Sequence, residues 1–308
     1  MTLLLVPLAA YAAEVQVGGA LDLIGGLTAC DGCPVQLAGG LRQAEGDLRV
    51  AEGQLAFELQ LDTAASVNGD GVFIYLLSPE RLVAEGFGDN YRVSAGIFQA
   101  PFRIESVDPW PGPQVTPSLL SRRLPAAILG GEVTVHSQVV GATLVVGAQP
   151  ATTNVFELDE GYGAPLPFLA GLRGRVVTGA VDVGGGAWFG GGLDGIGFGG
   201  AELGARVDVD IVAAYGDVTS NFQSTHCIVL GTELWPTSVV SPSARVEFDA
   251  PEGFGVAVGV GSTLWEILRL KAEASYQAGN PGVYAEVALF STWPEALEGE
   301  YDGEEQRE

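Results

Sequence analysis

The chain has 308 residues, room for one large all-β domain or two ordinary ones. Its formal net charge of −24 and pI near 4.2 exclude a nucleic-acid partner, because phosphate binding needs clustered Lys and Arg. Charged residues are only 17% of the chain and 45 positions are Gly, which weakens helices and marks turns, so the composition leans to β structure.

Mean hydropathy is +0.28. Past the N-terminus, however, no run of about 18 apolar residues reads as a transmembrane helix. A hydrophobic average without hydrophobic blocks is expected where lipid-facing and lumen-facing residues alternate along transmembrane strands.

The chain opens "MTLLLVPLAAYAAEV". Leu3 to Ala10 form a short apolar stretch, and Ala10-Tyr11-Ala12 matches a small-x-small cleavage pattern, although a basic start is missing. Residues 1–12 are therefore expected to be a signal peptide lacking its basic start, with a buried first strand as the other reading. A first strand follows over 14–24. Next comes "CDGC", where Cys30 and Cys33 form a CxxC that can be a local disulfide, a zinc half-site or a redox pair. Zinc would need further ligands, which His226 and Cys227 could supply. Export favours the Cys30–Cys33 disulfide, leaving Cys227 as a lone thiol.

A weaker strand candidate covers 35–50. In "QLAFELQLD", Leu55, Phe57, Leu59 and Leu61 share one face, and Gln54, Glu58, Gln60 and Asp62 share the other. Candidates at 71–77 and 91–98 follow. The second runs into "PFRIESVDPWPGPQVTPSLLSRRLP", a Pro-rich segment of roughly thirty residues before the next strand. A loop that long in a compact domain is usually functional or disordered. Its apolar anchors Phe102, Ile104, Leu119 and Leu120 favour order. Its charges Arg103, Glu105, Asp108, Arg122 and Arg123 either narrow a water-filled lumen or hold the loop on a rim by ion pairs.

Beyond the loop, strands are expected over 131–139, 141–149, 168–180 and 180–189. "AELGARVDVDI" sets Leu203, Val207, Val209 and Ile211 against Glu202, Arg206, Asp208 and Asp210. "SARVEFDA" sets Val246 and Phe248 against Arg245, Glu247 and Asp249, and "LRLKAEASYQ" alternates from Leu268 to Gln277 in the same way. Weaker pieces lie in 207–218 and 227–235, and a last strand in 283–290. A one-residue slip would invert each set of faces, so register is fixed. Short turns are read at Pro251-Glu252-Gly253 and Gly279-Asn280-Pro281-Gly282. Tyr91, Trp235, Trp265 and Trp293 stand near strand ends, as interfacial aromatics do. Residues 294–308, "PEALEGEYDGEEQRE", hold seven acids and one base, a net of −6, and have no apolar periodicity. They are expected to be a solvated, disordered tail.

Alternation by itself also suits a soluble β-sandwich. The low charged fraction, the many strands and the small residues on the apolar faces favour a single antiparallel transmembrane β-barrel. It is expected to have about twelve strands, within a range of roughly ten to fourteen, over residues 13–293. On its polar faces Glu58, Asp62, Glu132, Glu202, Asp208, Asp210, Glu247, Asp249, Glu273 and Glu286 outnumber Arg92, Arg173, Arg175, Arg206, Arg245, Arg269 and Lys271. An acidic lining concentrates cations, so mild cation preference is expected of any channel.

Gly96, Phe98, Pro101, Phe102, Glu105, Asp108 and Pro109, followed by Ser121, Arg122, Leu124 and Pro125, resemble the OmpL-like family of outer-membrane β-barrel porins. Arg103 departs from that pattern, which often has Gly there. The resemblance covers about thirty residues. It implies a barrel in the outer membrane of a Gram-negative-type bacterium, with the lipid bilayer as its surroundings and passive diffusion of small hydrophilic solutes as its role. A non-conducting structural or adhesion barrel and a secreted soluble β protein are the alternatives. Outer-membrane barrels commonly finish on an aromatic residue; here an acidic tail follows Phe290 and Trp293.

No enzyme is expected. His136 and Ser137 are adjacent in a strand and face opposite ways, so they cannot form a dyad. No G-x-S-x-G elbow is present. "GGGAWFGGG" and "GIGFGG" lack the lysine and helix of a phosphate loop. No cofactor or metal is expected either.

Overall fold

The computed structural model describes residues 13–29, 35–68, 71–102, 115–116, 118, 127–149, 166–191, 197–221, 226–235, 239–265, 267–277 and 279–290. The expected signal peptide and acidic tail lie outside them, as do Cys30, Cys33 and Trp293.

Sixteen strands form the wall: β1 Glu14–Thr28, β2 Gln36–Glu52, β3 Leu55–Asn68, β4 Gly71–Gly88, β5 Tyr91–Gln99, β6 Ala127–His136, β7 Val140–Gln149 and β8 Leu166–Thr178, then β9 Val181–Gly191, β10 Gly197–Val209, β11 Val212–Asn221, β12 His226–Leu234, β13 Val240–Asp249, β14 Gly253–Leu264, β15 Leu268–Gln277 and β16 Asn280–Phe290. Each pairs antiparallel with its sequence neighbours, and β1 closes on β16 from Ala20↔Phe290 to Thr28↔Gly282. Closure leaves no sheet edge, the condition for a sheet to cross lipid.

The expected count of about twelve, and the range up to fourteen, is corrected to sixteen. The three weaker segments are all strands, β2, β11 and β12. The fourth addition, β14, has no charged face: Gly255, Ala257 and Gly261 point inward where other strands carry acids or bases. The hairpin inside 207–218 was hidden because its turn has no Gly or Pro. Asp210 takes the positive φ, 49°, that Gly53 and Gly179 take in equivalent turns.

The two ends of the barrel differ. At one, the turn end, two to five residues join each hairpin, at 53–54, 89–90, 137–139, 179–180, 210–211, 235–239 and 265–267. β1 starts there and β16 finishes there. The opposite loop end carries the long 100–126 connection. It also carries the two short turns read from the sequence, built on Gly253 and Gly279 at φ 100° and 89°.

Polarity is inverted relative to a soluble protein. Along β13, Val246 and Phe248 are 45% and 49% exposed on the outside, while Arg245, Glu247 and Asp249 are 1% or less exposed on the inside. A soluble sandwich would bury the first set and hydrate the second, so this observation decides against it. Outward aromatics lie near both ends. Tyr91 and Trp265 are exposed at the turn end; Trp235 is there too but faces inward, where the Arg206 guanidinium lies 5.7 Å from its ring. Phe168, Phe189, Phe248, Phe254 and Tyr276 sit at the loop end, with the Phe168 and Phe189 rings 6.5 Å apart. The ten residues of β15 between the two levels rise about 25 Å at a ~40° tilt, the height of the apolar band of membrane barrels.

Candidate pore lining and loop anchor

The inner wall is a lattice of cross-strand ion pairs. Glu58 on β3 receives Arg49 from β2 at 3.2 Å and Arg81 from β4 at 2.6 Å, and Arg81 also reaches Glu85 at 3.1 Å. Arg92 pairs with Glu132 across β5–β6 at 3.0 Å. Arg173 pairs with Glu202 at 2.8 Å, Arg175 with Asp182 at 2.6 Å, and Arg206 with Glu233 at 3.3 Å. Arg49 and Glu58 are directly opposed, and Arg81–Glu58, Arg92–Glu132 and Arg175–Asp182 are diagonal neighbours on paired strands. Arg173–Glu202 and Arg206–Glu233 reach across an intervening strand, the first over Gly186. Alternation delivers them all to the same side.

Most residues expected on the polar face occupy it. Asp210 is in a turn instead, and the side chain of Asp62 lies outside the described residues. The sequence reading missed Asp22, Arg42, Asp47, Arg49, Arg81, Glu85, Asp182, Asp217 and Glu233, which also face inward. Arg42 has a specific cause. Asp22 pairs with Gln43 and Leu23 with Leu41, so Arg42 is the extra residue of a β-bulge in β2. The bulge breaks the period and turns Arg42 inward.

Arg42 lies at the centre of a buried cluster. Its guanidinium bonds Glu286 at 2.8 Å and Asp22 at 3.4 Å, and Lys271 pairs with Glu286 at 2.9 Å. Beside it the 100–126 connection touches the wall. Arg42 donates to the Val115 carbonyl at 2.5 Å. The Val115 amide donates to Glu273 at 2.7 Å and the Thr116 amide to the same carboxylate at 3.2 Å, with the Thr116 hydroxyl donating to its other oxygen. Arg245 donates to the Thr116 carbonyl at 3.0 Å and to its hydroxyl at 3.3 Å. Two residues are thus held by β2, β13 and β15, and Val115 is 1% exposed.

A second anchor lies at the loop's start. Phe102 is buried with its ring 5.3 Å from that of Trp188 on β9. It fills a notch made by Gly171 on β8 and Gly186 on β9, where an added Cβ would stand 2.2 and 3.2 Å from the ring. Around it Val83, Phe98, Ile128, Val145 and Leu169 form an apolar patch on the inner wall. The connection is therefore fixed to β8–β9 on one side of the barrel and to β2, β13 and β15 on the other. Arg103, Glu105, Asp108, Arg122 and Arg123 lie outside the described residues.

The motifs of the other readings have ordinary places. Ser137 receives the Val140 amide at 3.1 Å and shapes the turn after His136. Cys227 is a buried thiol on the inner face of β12, whereas the adjacent His226 is exposed and bonds Ser220 at 2.9 Å. These two neighbours face opposite sides of the wall and cannot share one metal ion. Among the described residues no group of three His, Cys, Asp or Glu could hold one.

Comparison with known structures agrees with this architecture. The anion-selective porin of Comamonas acidovorans superposes with a TM-score of 0.68 at 14% identity, covering 91% of this chain and all of that one. The chain has the porin fold. The same shares are covered by OmpT lacking loop L8, an outer membrane protein of Vibrio cholerae, at TM-score 0.62 and 13% identity. A mutant of the Rh. blastica porin follows at TM-score 0.58 and 10% identity, over 90% of this chain and all of its own. No protein-family model matches the sequence, and no curated protein matches it either. The porin fold agrees with the barrel implied by the resemblance around 96–125, but it does not single out the OmpL-like family. With its closed wall, apolar outer band and charged interior, this porin-type barrel is a protein of the outer membrane.

Proposed function

We propose that the barrel is a channel for passive diffusion of small hydrophilic solutes across the outer membrane of a Gram-negative-type bacterium, with a mild preference for cations. The observation that carries this reading is the carboxylate-rich inner wall enclosed by an apolar exterior. A closed sheet serving only as an anchor has no need of a charged interior, whereas a water-filled passage does. Inward-facing carboxylates outnumber inward-facing bases, which raises the local cation concentration. The Comamonas acidovorans porin is anion-selective by its description, so the shared fold does not set the sign; the wall charges do.

In this reading the 100–126 connection narrows the passage. Its two anchors stand on different sides of the wall, and Arg103, Glu105 and Asp108 fall between them in sequence. Arg122 and Arg123 follow the second anchor. The test is the reversal potential of single channels in a planar bilayer under a salt gradient. The expected sign is that of cation excess, reduced when Glu202 and Glu247 are changed to Gln; an anion-selective reversal potential rejects the charge argument.

A further inference from the structure

At the turn end, strands β3, β4 and β5 carry an outward cleft of 460 Å³. Its floor is Gly86, which stands directly opposite Leu55 on one side and Val93 on the other. Both neighbours are apolar and face outward, 67% and 45% exposed, so the glycine leaves a notch between them. A Cβ added at Gly86 would come no closer than 3.8 Å to the Leu55 side chain, so the notch is open. Tyr91 roofs it on the turn side. A Cβ at Gly88 would stand 2.5 Å from the Tyr91 ring, which therefore lies back across β4. Glu52, directly opposite Leu55, and Gln54 supply a polar edge. Toward the membrane centre the next outward row sets Ala84 opposite Ala95, beside the outward Phe57, so the notch continues as a furrow. No Lys or Arg lines the cleft, and Glu52 and Asp89 on the adjoining turn are exposed acids.

We propose that this cleft binds a glycerophospholipid whose headgroup ends in a primary ammonium. Tyr91 marks the interfacial level, where headgroups lie. Short turns mark the periplasmic side of membrane barrels, so the lipid comes from the leaflet facing the periplasm. The ammonium has three N–H donors and meets the Glu52 carboxylate at the edge of the cleft. A trimethylated head has no such donor, and an anionic head is repelled by Glu52 and Asp89. The phosphate accepts hydrogen bonds from the Gln54 side-chain amide and the Tyr91 hydroxyl. One acyl chain enters the notch at Gly86 and follows the furrow over Ala84 and Ala95. No pore-lining residue takes part, so the site stands apart from the channel reading.

The test is native mass spectrometry of the full chain in non-ionic detergent, titrated with dioleoyl lipids bearing ethanolamine, choline or glycerol heads. One ethanolamine lipid is expected to stay bound at about tenfold lower concentration than either of the others, the value of one charge-assisted hydrogen bond. Glu52→Gln is expected to remove that preference. Gly86→Leu fills the notch and is expected to weaken retention of all three lipids about tenfold. Equal retention of the three lipids by the unaltered chain overturns the site. So does a preference that survives Glu52→Gln, or retention that is unchanged in Gly86→Leu. Copies that associate through this face with no lipid retained overturn it as well. Should Gly86→Leu not fold, the headgroup comparison on the unaltered chain and on Glu52→Gln decides.

Discussion

Replacing Glu273 by Ala removes the acceptor that holds the loop at Val115 and Thr116. Three donors converge on that one carboxylate, two of them backbone amides at 2.7 and 3.2 Å. Glu273 is 2% exposed, so solvent screening is small. A hydrogen bond to a charged group contributes about 1.5–3 kcal/mol, and bonds that share one group do not simply add. Loss of the carboxylate should therefore weaken the anchor by about 3–5 kcal/mol, or roughly 150- to 5,000-fold in its opening equilibrium. The bonds from Arg42 and Arg245 remain, so the anchor loosens without vanishing. Glu273→Gln keeps an acceptor but loses the charge, and about half the effect is expected. Hydrogen exchange of the Val115 and Thr116 amides in the solubilised barrel reads this directly. Their exchange should quicken by that factor while amides of the β14–β15 ladder, such as Ala272 opposite Val260, stay unchanged. Single-channel current should become larger and noisier. Unchanged protection at Val115 and Thr116 in Glu273→Ala would refute the anchor.

Phe102→Ala should empty the notch at Gly171 and Gly186, weakening that anchor by about 3–5 kcal/mol and shifting Trp188 fluorescence to the red. Gly171→Leu should do the same, because its Cβ would meet the Phe102 ring, whereas Gly174→Ala, with open space around it, serves as a neutral control. Lys271→Met leaves the buried Glu286 with Arg42 as its remaining cationic partner and should cost about 3–5 kcal/mol in urea unfolding from lipid or detergent. Adding Glu286→Gln should recover part of that loss; a single variant as stable as the parent would show that the pair is not desolvated as described.

How much of the site could be read in advance varies from residue to residue. Glu247, Asp249 and Glu273 were legible because regular alternation assigns each to a face. Arg42 was not, since a bulge shifts the period and only pairing with β1 and β3 reveals it. The loop was recognisable by its length and proline content, but its anchor residues were not. Val115 makes its hydrogen bonds through its backbone amide and carbonyl, and Thr116 makes half of its own that way, and backbone groups leave no trace in side-chain type. Strand β14 was missed because glycine on its inner face removed the polar half of the pattern.

The sequence by itself determined which residues share a face, since a period of two is a local property and a one-residue slip would put charges in lipid. It also determined that the chain leans to β structure and that no run past the N-terminus is long and apolar enough for a membrane-spanning helix. Only the tertiary structure decided which face points outward, that β16 returns to β1, that the strands number sixteen, and where the loop meets the wall. Each of these depends on pairing between segments far apart in the chain, and alternation is the same whether a sheet closes around water or packs against another sheet.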